Sequence, residues 1–178
     1  MQYQLETSFG VFSSQNDATW LESFRRANAA GAPALELRSQ GAATGVGSDD
    51  AYLKWKARSR MDWTWNGFDL NATVTYTDGF HEILAHDPSL PDGKKEHWIK
   101  QTWIFDTQAS YHFAVAAPLD AQGLSCWKKA LDNTTLAIGC NNVFGQDPPQ
   151  AFFSNAGYAD FIYDSVGRFV YVSLKKQF

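Results

Sequence analysis

The stretch "KWKARSRMDWTWNGFDLNATVTYT", residues 54–77, decides the fold class. Apolar and polar residues alternate on both sides of Asn66-Gly67, with the period of two of a half-buried β-strand. Asn-Gly is the strongest short hairpin signal, because both residues tolerate a positive φ in a two-residue turn. Such a turn pairs Trp65 with Phe68, so the turn and the alternation predict the same register. The other predicted pairs are Trp63–Leu70, Met61–Ala72, Ser59–Val74, Asp62–Asn71, Arg60–Thr73 and Arg58–Thr75.

Six segments alternate in this way and predict antiparallel strands that follow one another along the chain. Their connections are unequal: the loops after the first, third and fifth segments are long, and those after the second and fourth are shorter. If the strands run up and down, the long loops lie at one end, and the shorter turns and the C-terminus at the other. That asymmetry is typical of outer-membrane β-barrels. The segments span about 10–24, 54–65, 68–77, 99–115, 135–144 and 167–178.

A soluble β-sandwich also alternates, with its apolar face turned inward. Three features favour a membrane barrel instead. Several segments run for about 10 residues or more, whereas soluble strands usually have about 5 or 6 and tilted membrane strands ~9–11. The opposite face is densely polar, as a wet lumen requires. Aromatic residues gather on the apolar face near the short turns, as at a membrane–water interface; they are Trp63, Trp65, Phe68, Tyr111, Phe113 and Phe178.

The composition sets limits on function. The 178 residues suit one domain or part of a larger one. A net charge of −4 argues against a nucleic-acid partner. No run of 18 apolar residues is present to form a transmembrane helix. The first ten residues show no signal peptide. Two cysteines are too few for a disulfide scaffold.

Two motifs near the end of the chain resemble the C-terminal strands of TonB-dependent outer-membrane receptors. They are "LAIGCNNVFGQDPP", residues 136–149, and "GRFVYVSLKKQF", residues 167–178. Two positions differ from the family pattern: Cys140 replaces a more usual valine or alanine, and Lys176 replaces an aromatic residue. The positions that carry the resemblance are Gly139, Cys140, Asn142, Val143, Phe144, Pro148, Pro149, Gly167, Arg168 and Phe178.

This resemblance implies that residues 1–178 are the C-terminal part of one antiparallel transmembrane β-barrel domain. The barrel would import a bulky scarce nutrient, namely a siderophore, cobalamin or a carbohydrate, by energy-coupled transport across the outer membrane. The implied partners are outer-membrane lipid, the TonB complex, the outer-membrane assembly machinery and a small-molecule substrate; no cofactor is implied. The residues expected to close the barrel and to carry the assembly signal are Gly167, Arg168, Val170, Val172, Leu174 and Phe178.

The family's plug domain and TonB box are not visible in the chain. Plugged barrels of this kind use roughly 22 strands, so six predicted strands cannot close one. We therefore expect Met1 to be an internal residue or a truncated start. A soluble carbohydrate-binding β-sandwich and a small stand-alone membrane barrel are the alternatives.

Histidine and carboxylate side chains crowd the predicted loop between the third and fourth segments. They could contact a metal or a ferric ligand, but their spacing matches no compact metal motif, and a polar outer loop has the same composition. We therefore predict no metal site, and the sequence does not identify the residues that bind a substrate. The side chains are His81, Glu82, His86, Asp87, Asp92, Glu96 and His97.

Two further groups have both a functional and a structural interpretation. A basic stripe on the polar face could guide an anionic substrate, or could pair with neighbouring carboxylates in a barrel wall. Aromatic residues near the long loops could stack on a sugar or anchor the protein at the interface. No catalytic arrangement has motif support, so we do not expect an enzyme. The two groups are Lys54, Lys56, Arg58 and Arg60, and Trp20, Phe152, Phe153, Tyr158 and Tyr163.

Overall fold

A computed structural model describes residues 1–27, 29–41, 51–83, 96–114 and 131–177. This part of the chain is all-β, as predicted, and it has no helix long and apolar enough to cross a membrane. The strands are β1 (Gln2–Thr7), β2 (Gly10–Trp20), β3 (Arg25–Arg26), β4 (Leu35–Glu36), β5 (Gln40–Gly41), β6 (Trp55–Trp65), β7 (Phe68–Thr77), β8 (Phe80–Ile83), β9 (Glu96–Ile99), β10 (Thr102–Phe113), β11 (Thr134–Asn141) and β12 (Phe169–Lys176).

Seven strands form one antiparallel sheet in the order β1-β2-β6-β7-β10-β11-β12. Each long strand therefore pairs with the long strand that precedes or follows it in the chain, as in an up-and-down meander. The sheet is open, with β1 and β12 at its two edges. The three longest connections, β2–β6, β7–β10 and β11–β12, leave the sheet at one end, as predicted, whereas the β1–β2 and β6–β7 turns and the shorter β10–β11 connection leave it at the other.

The predicted hairpin between β6 and β7 is confirmed at every pair. Trp65 lies opposite Phe68, and the register continues without a bulge to Lys56 opposite Thr77. Asn66 has φ 46° and Gly67 has φ 82°. Both turn residues thus adopt the left-handed conformation that a two-residue turn between right-twisted strands needs.

The prediction of about six strands is wrong for the sheet, which has a seventh strand at its edge. β1 pairs with β2 from Gln2 opposite Gln15 to Thr7 opposite Gly10. The strand is short and presents only two apolar side chains, Tyr3 and Leu5, so its alternation is weak.

Several predicted boundaries also need correction. The first segment ends at Trp20, the last begins at Phe169, and Phe178 lies outside the described residues. Ile99 belongs to β9 rather than to the fourth long strand, although it has the parity of that strand's apolar residues. β11 stops at Asn141, because Asn142 takes φ 50° and turns the chain away.

A smaller layer caps the end of the sheet from which the long connections leave. β8 pairs with β9 antiparallel and with β5 parallel, so the connection predicted as a polar loop carries strands of its own. The most buried apolar side chains pack here rather than on the main sheet; they are Phe80, Ile99, Ala151 and Ala159. The segment that contains residues 151–163 thereby docks on the β8–β9 hairpin.

Candidate functional site

In the main sheet the apolar face is exposed and the polar face is buried, the reverse of the burial in a water-soluble protein. Val172 and Leu174, on the apolar face, are 68% and 70% exposed, whereas Thr73 and Thr102, on the polar face, are 4% and 3% exposed. In a water-soluble protein the apolar side chains are the ones that packing removes from water. Here the described residues pack on the polar face and leave the apolar face open.

The apolar face is continuous across the sheet, because the strand registers place its residues in rows. One row runs through Trp63, Leu70, Ala109, Ile138 and Val172, on five successive strands. A surface of this extent is far larger than the isolated exposed apolar side chains that are normal in soluble monomers. Exposed members of the face include Tyr3, Leu5, Met61, Leu70, Leu136, Ile138, Val170, Val172 and Leu174.

Aromatic rings border this face at the end with the short turns. We call them the turn-end belt: Phe9, Phe12, Trp63, Trp65, Phe68, Tyr111 and Phe113. The rings form two groups in contact: Phe9, Phe12, Trp63 and Trp65, with successive centroids 5.7 to 6.3 Å apart, and Phe68, Tyr111 and Phe113, with successive centroids 4.4 and 4.6 Å apart. The predicted cluster is therefore present, extended by Phe9 and Phe12, while Phe178 lies outside the described residues.

A second set of rings borders the same face at the long-loop end, and the sequence analysis did not find it as a set. We call it the loop-end belt: Trp20, Trp55, Tyr76, Trp103, Phe105 and Phe144. Its ring centroids lie 5.8 Å apart for Trp20–Trp55, 4.7 Å for Tyr76–Trp103 and 5.0 Å for Phe105–Phe144. Trp55 and Trp65 are ten residues apart on β6, or ~33 Å along the strand. At the ~40° tilt of membrane strands this spacing is ~25 Å in height, the height of the apolar band of an outer-membrane barrel.

Side chains on the polar face form hydrogen bonds within one strand and between adjacent strands. Arg60 contacts both carboxylate oxygens of Asp62, at 2.8 to 3.0 Å, and Asn71 donates to the same carboxylate at 2.6 Å. Of the four residues in the basic stripe, Arg60 thus pairs with a carboxylate, and this carboxylate lies on its own strand. Farther along the sheet, His112 Nδ1 lies 3.1 Å from the Thr135 hydroxyl.

Gly139, a residue of the family motif, makes room for an aromatic ring on the polar face. It pairs with Tyr171 on β12 and with Gln108 on β10. The Tyr171 ring crosses over Gly139, and its hydroxyl donates to Gln108 Oε1 at 2.9 Å. A Cβ at residue 139 would lie 2.3 Å from Tyr171 Cζ. One ring thus links three strands, and it can do so only across a residue without a side chain.

Asn142 ends β11 and turns the chain across the polar face. Its backbone N–H donates to Asp106 Oδ1 at 2.8 Å, and its side chain both donates to and accepts from the Gln146 backbone, at 2.9 and 2.8 Å. Phe144 is the motif residue that points away from this turn and joins the loop-end belt. Pro148 and Pro149 are half-buried, and Pro148 lines a cleft described below.

The residues predicted to close a barrel lie on or beside β12 at the edge of the sheet. Gly167 and Arg168 precede the strand, and Val170, Val172 and Leu174 form its apolar row. A Cβ on Gly145 would lie 3.7 Å from Arg168 Nη2, so the two family motifs meet at the turn that Asn142 begins. Phe178, the expected end of the assembly signal, lies outside the described residues.

The chain matches no protein-family model, no curated protein and no solved structure. The resemblance to TonB-dependent receptors therefore depends on the two sequence motifs alone.

Glu82 is the one fully buried carboxylate among the described residues. It links β9 to the segment around Phe153 in the smaller layer that caps the sheet. Its Oε2 lies 2.9 Å from His97 Nδ1, and its Oε1 accepts a hydrogen bond from the Phe153 backbone N–H. His81 instead packs its ring on Trp98. Within the described ranges no group of three or more potential ligands could hold a metal, while His86, Asp87 and Asp92 lie outside those ranges.

Glu36 organises the connection between β2 and β6. Its carboxylate accepts hydrogen bonds from the Ser23 hydroxyl at 2.5 Å, the Phe24 N–H at 2.8 Å, the Arg38 N–H at 3.2 Å and Arg25 Nε at 3.4 Å. These bonds favour the charged form, with Ser23 contributing most, and lower the pKa of Glu36 to about 2.

The aromatic residues considered for ligand stacking occupy different surroundings. Trp20 stacks on Trp55 in the loop-end belt. Phe152 packs on His97, and Phe153 packs on the buried cluster. Tyr163 packs partly against the same cluster and lines a cleft over the polar face.

Proposed function

We propose that this chain forms C-terminal strands of a TonB-dependent outer-membrane receptor. In this proposal the apolar face contacts lipid, the polar face lines the lumen, and the long loops lie outside the cell. The main support for this proposal is the exposed aliphatic band that lies between two aromatic belts ~25 Å apart. An open band of this kind costs free energy in water and none in hydrocarbon.

The transport role is supported by the terminal motifs and by their positions. The Gly139–Tyr171 contact and the Asn142 turn give structural reasons for motif residues that the resemblance alone does not explain. The proposal expects a plug domain and a TonB box N-terminal to these strands. Its partners are then the TonB complex, the assembly machinery and a bulky scarce nutrient.

The burial pattern opposes a soluble carbohydrate-binding sandwich. A sandwich needs a second layer over the apolar face. The segment that follows β11 instead crosses the polar face, where Gln146 and Tyr163 lie above Thr75 and Thr102. Among the residues that the structure describes, the packed side of the sheet is thus the polar one.

Two neighbouring serines on β2 provide a matched test of which face meets lipid. Ser14 pairs with Met61 on the apolar face, and Ser13 pairs with Asp62 on the polar face. Both lie near the middle of the band. We expect Ser14→Lys to place an ammonium in hydrocarbon, at a cost of ~2–4 kcal/mol near the midplane. Ser13→Lys adds a cation beside a carboxylate on a wet wall and should cost little.

The measurement is the amount of folded protein in outer-membrane fractions of cells that express each variant. Ser14→Lys should lower it several-fold while Ser13→Lys leaves it near the parent level. Equal amounts for the two variants, or a greater loss for Ser13→Lys, would contradict the lipid-facing assignment.

A further inference from the structure

The chain between Asn142 and Asp164 crosses the polar face at the end of the sheet with the long loops, and we call this segment the strap. Two parts of it, residues 146–148 and 162–164, lie over β6, β7 and β10 and leave a cleft of about 170 Å³ beneath them. Thr77 and Thr102, which line the cleft, are 6% and 3% exposed, whereas Ser173 on the polar face of β12 is exposed. The strap therefore covers this part of the polar face.

The first end of the strap is joined directly to the sheet. The Asn142 backbone N–H donates to Oδ1 of Asp106, a residue of β10, at 2.8 Å. The Asn142 side chain bonds in both directions with the Gln146 backbone, at 2.9 and 2.8 Å. These bonds fix the direction in which the strap leaves β11.

The middle of the strap packs on the β8–β9 hairpin through small side chains. Ala151 and Ala159 are its buried apolar side chains, and they contact Phe80 and Ile99. Stabilisation by apolar burial is roughly proportional to the area removed from water, and a methyl group contributes little area. The other strap residues against this cluster are partly buried; they are Phe153, Ile162 and Tyr163.

Glu82 supplies the polar contact between the hairpin and the strap. Its carboxylate is fully buried, and its Oε1 accepts a hydrogen bond from the Phe153 backbone N–H. Its Oε2 lies 2.9 Å from His97 Nδ1, and the His97 ring packs on Phe152 with a centroid distance of 4.8 Å. Phe152 and Phe153 thus lie against the pair formed by the carboxylate and the imidazole.

A buried carboxylate makes this contact specific but also allows it to be broken. Removing a charged group from water is costly, and one partner offsets only part of that cost. Lifting the strap gives water access to Glu82, so an open state is less unfavourable than it would be over an apolar side chain. In the closed state the charge-assisted bond to Phe153 fixes the position of the strap, and loss of the acceptor would leave a buried N–H unpaired.

We propose that the strap is a closure that can open, and that Glu82 is the positioning residue that holds it shut. In the open state the Phe153 N–H and the Glu82 carboxylate each bond to water. The surface formed by Thr75, Thr77 and Thr102 then becomes accessible to molecules larger than the cleft. As a closure of a receptor lumen this assignment rests on the function proposed above, whereas opening of the strap can be measured whichever face meets lipid.

The test measures the labelling of single cysteines in the purified protein in detergent, with both native cysteines replaced by serine. Thr75→Cys places a thiol beneath the strap, and Ser173→Cys, on the exposed polar face of β12, is the matched control. Each protein is treated with a small methanethiosulfonate and with a polyethylene-glycol maleimide too large for the cleft. The two cysteines are measured in the parent, Glu82→Gln and Glu82→Leu backgrounds.

We expect the large reagent to label Thr75→Cys more slowly than Ser173→Cys by about 10-fold or more, because it reaches residue 75 in the open fraction alone. The small reagent should show a smaller difference. Glu82→Leu removes the acceptor of the Phe153 N–H and should raise labelling at residue 75 by the large reagent about 5-fold or more, with no change at residue 173. Glu82→Gln keeps an acceptor oxygen and should keep the parent rate.

Hydrogen exchange of the Phe153 amide in the parent is a second measurement that needs no substitution. The amide should be protected, because its bond to Glu82 breaks only when the strap opens. An unprotected Phe153 amide would overturn the role of Glu82 even if Glu82→Leu did not fold.

Three labelling results would also overturn the proposal. Equal labelling of the two cysteines by the large reagent in the parent would show that the strap does not close the polar face. An unchanged rate at residue 75 in Glu82→Leu, or an equal rise at residues 75 and 173, would show that Glu82 does not hold the strap. None of these results bears on the serine test of lipid contact, so the strap and the membrane proposal can fail separately.

Discussion

Adding one methyl group at Gly139 should destabilise the sheet by about 1–3 kcal/mol. A Cβ there would lie 2.3 Å from Tyr171 Cζ and 2.4 Å from the tyrosine hydroxyl oxygen. Carbon atoms in good contact are ~3.5–4.0 Å apart, so the ring must move by more than ~1 Å. That movement breaks the 2.9 Å bond from Tyr171 to Gln108.

The magnitude follows from three contributions. The lost hydrogen bond costs about 1 kcal/mol, and overpacking a formed contact costs about 1–3 kcal/mol. The change from glycine to alanine in a strand returns roughly 0.5–1 kcal/mol of backbone entropy. The net loss in the free energy of unfolding is therefore about 1–3 kcal/mol.

The assay is urea unfolding of the protein in phospholipid vesicles, followed by tryptophan fluorescence, for Gly139→Ala, Tyr171→Ala and the double variant. If the ring lies over residue 139, Gly139→Ala should cost nothing or stabilise the protein once Tyr171 is alanine. Tyr171→Phe should cost about 1 kcal/mol, because it removes the hydrogen bond alone. An equal cost of Gly139→Ala in both backgrounds would refute the contact and with it the β11–β12 register.

Two further predictions concern the loop layer. Glu36 has a pKa lowered to about 2, so its hydrogen bonds stabilise the fold above its ordinary pKa of 4.5 and are lost as the pH falls toward 2. NMR of its carboxyl group should give a titration midpoint near 2, and Ser23→Ala should raise that midpoint. An unchanged midpoint in Ser23→Ala would exclude Ser23 as the main cause of the lowered pKa. Glu82→Leu should speed chymotrypsin cleavage at Phe153 several-fold, because it leaves the Phe153 N–H without an acceptor. Glu6→Leu, at an exposed residue, is the control. Equal cleavage rates for the two variants would show that Glu82 does not hold the segment around Phe153 in place.

Local features of the sequence predicted the centre of the sheet correctly. The β6–β7 hairpin needs only the Asn66-Gly67 turn and the alternation on its two sides, and both lie within 24 consecutive residues. The outward apolar row of Val170, Val172 and Leu174 also follows from alternation alone, once the face that packing covers is known.

Features that depend on registers between distant segments could not be predicted in the same way. The loop-end belt joins Trp20, Trp55 and Trp103, which come together only when three strand pairings are fixed. The pattern predicts that Ile99 belongs to the following strand, because Ile99 has that strand's parity and nothing marks the break before β10. The cleft likewise combines Thr102 with Tyr163, 61 residues later, through a loop whose course alternation does not specify.

The central claim, that the apolar face meets lipid, is tested most directly by spin labels at residues 138 and 137 of β11. Ile138 lies on the exposed apolar face, and Ala137 lies between Ser110 and Ser173 on the polar face at nearly the same depth. With both native cysteines replaced, each label is measured in native outer membranes against oxygen, which concentrates in lipid, and a water-soluble nickel chelate. The account predicts that oxygen relaxes the label at 138 and that nickel relaxes the label at 137. Nickel access at both positions, or the reverse assignment, would contradict it.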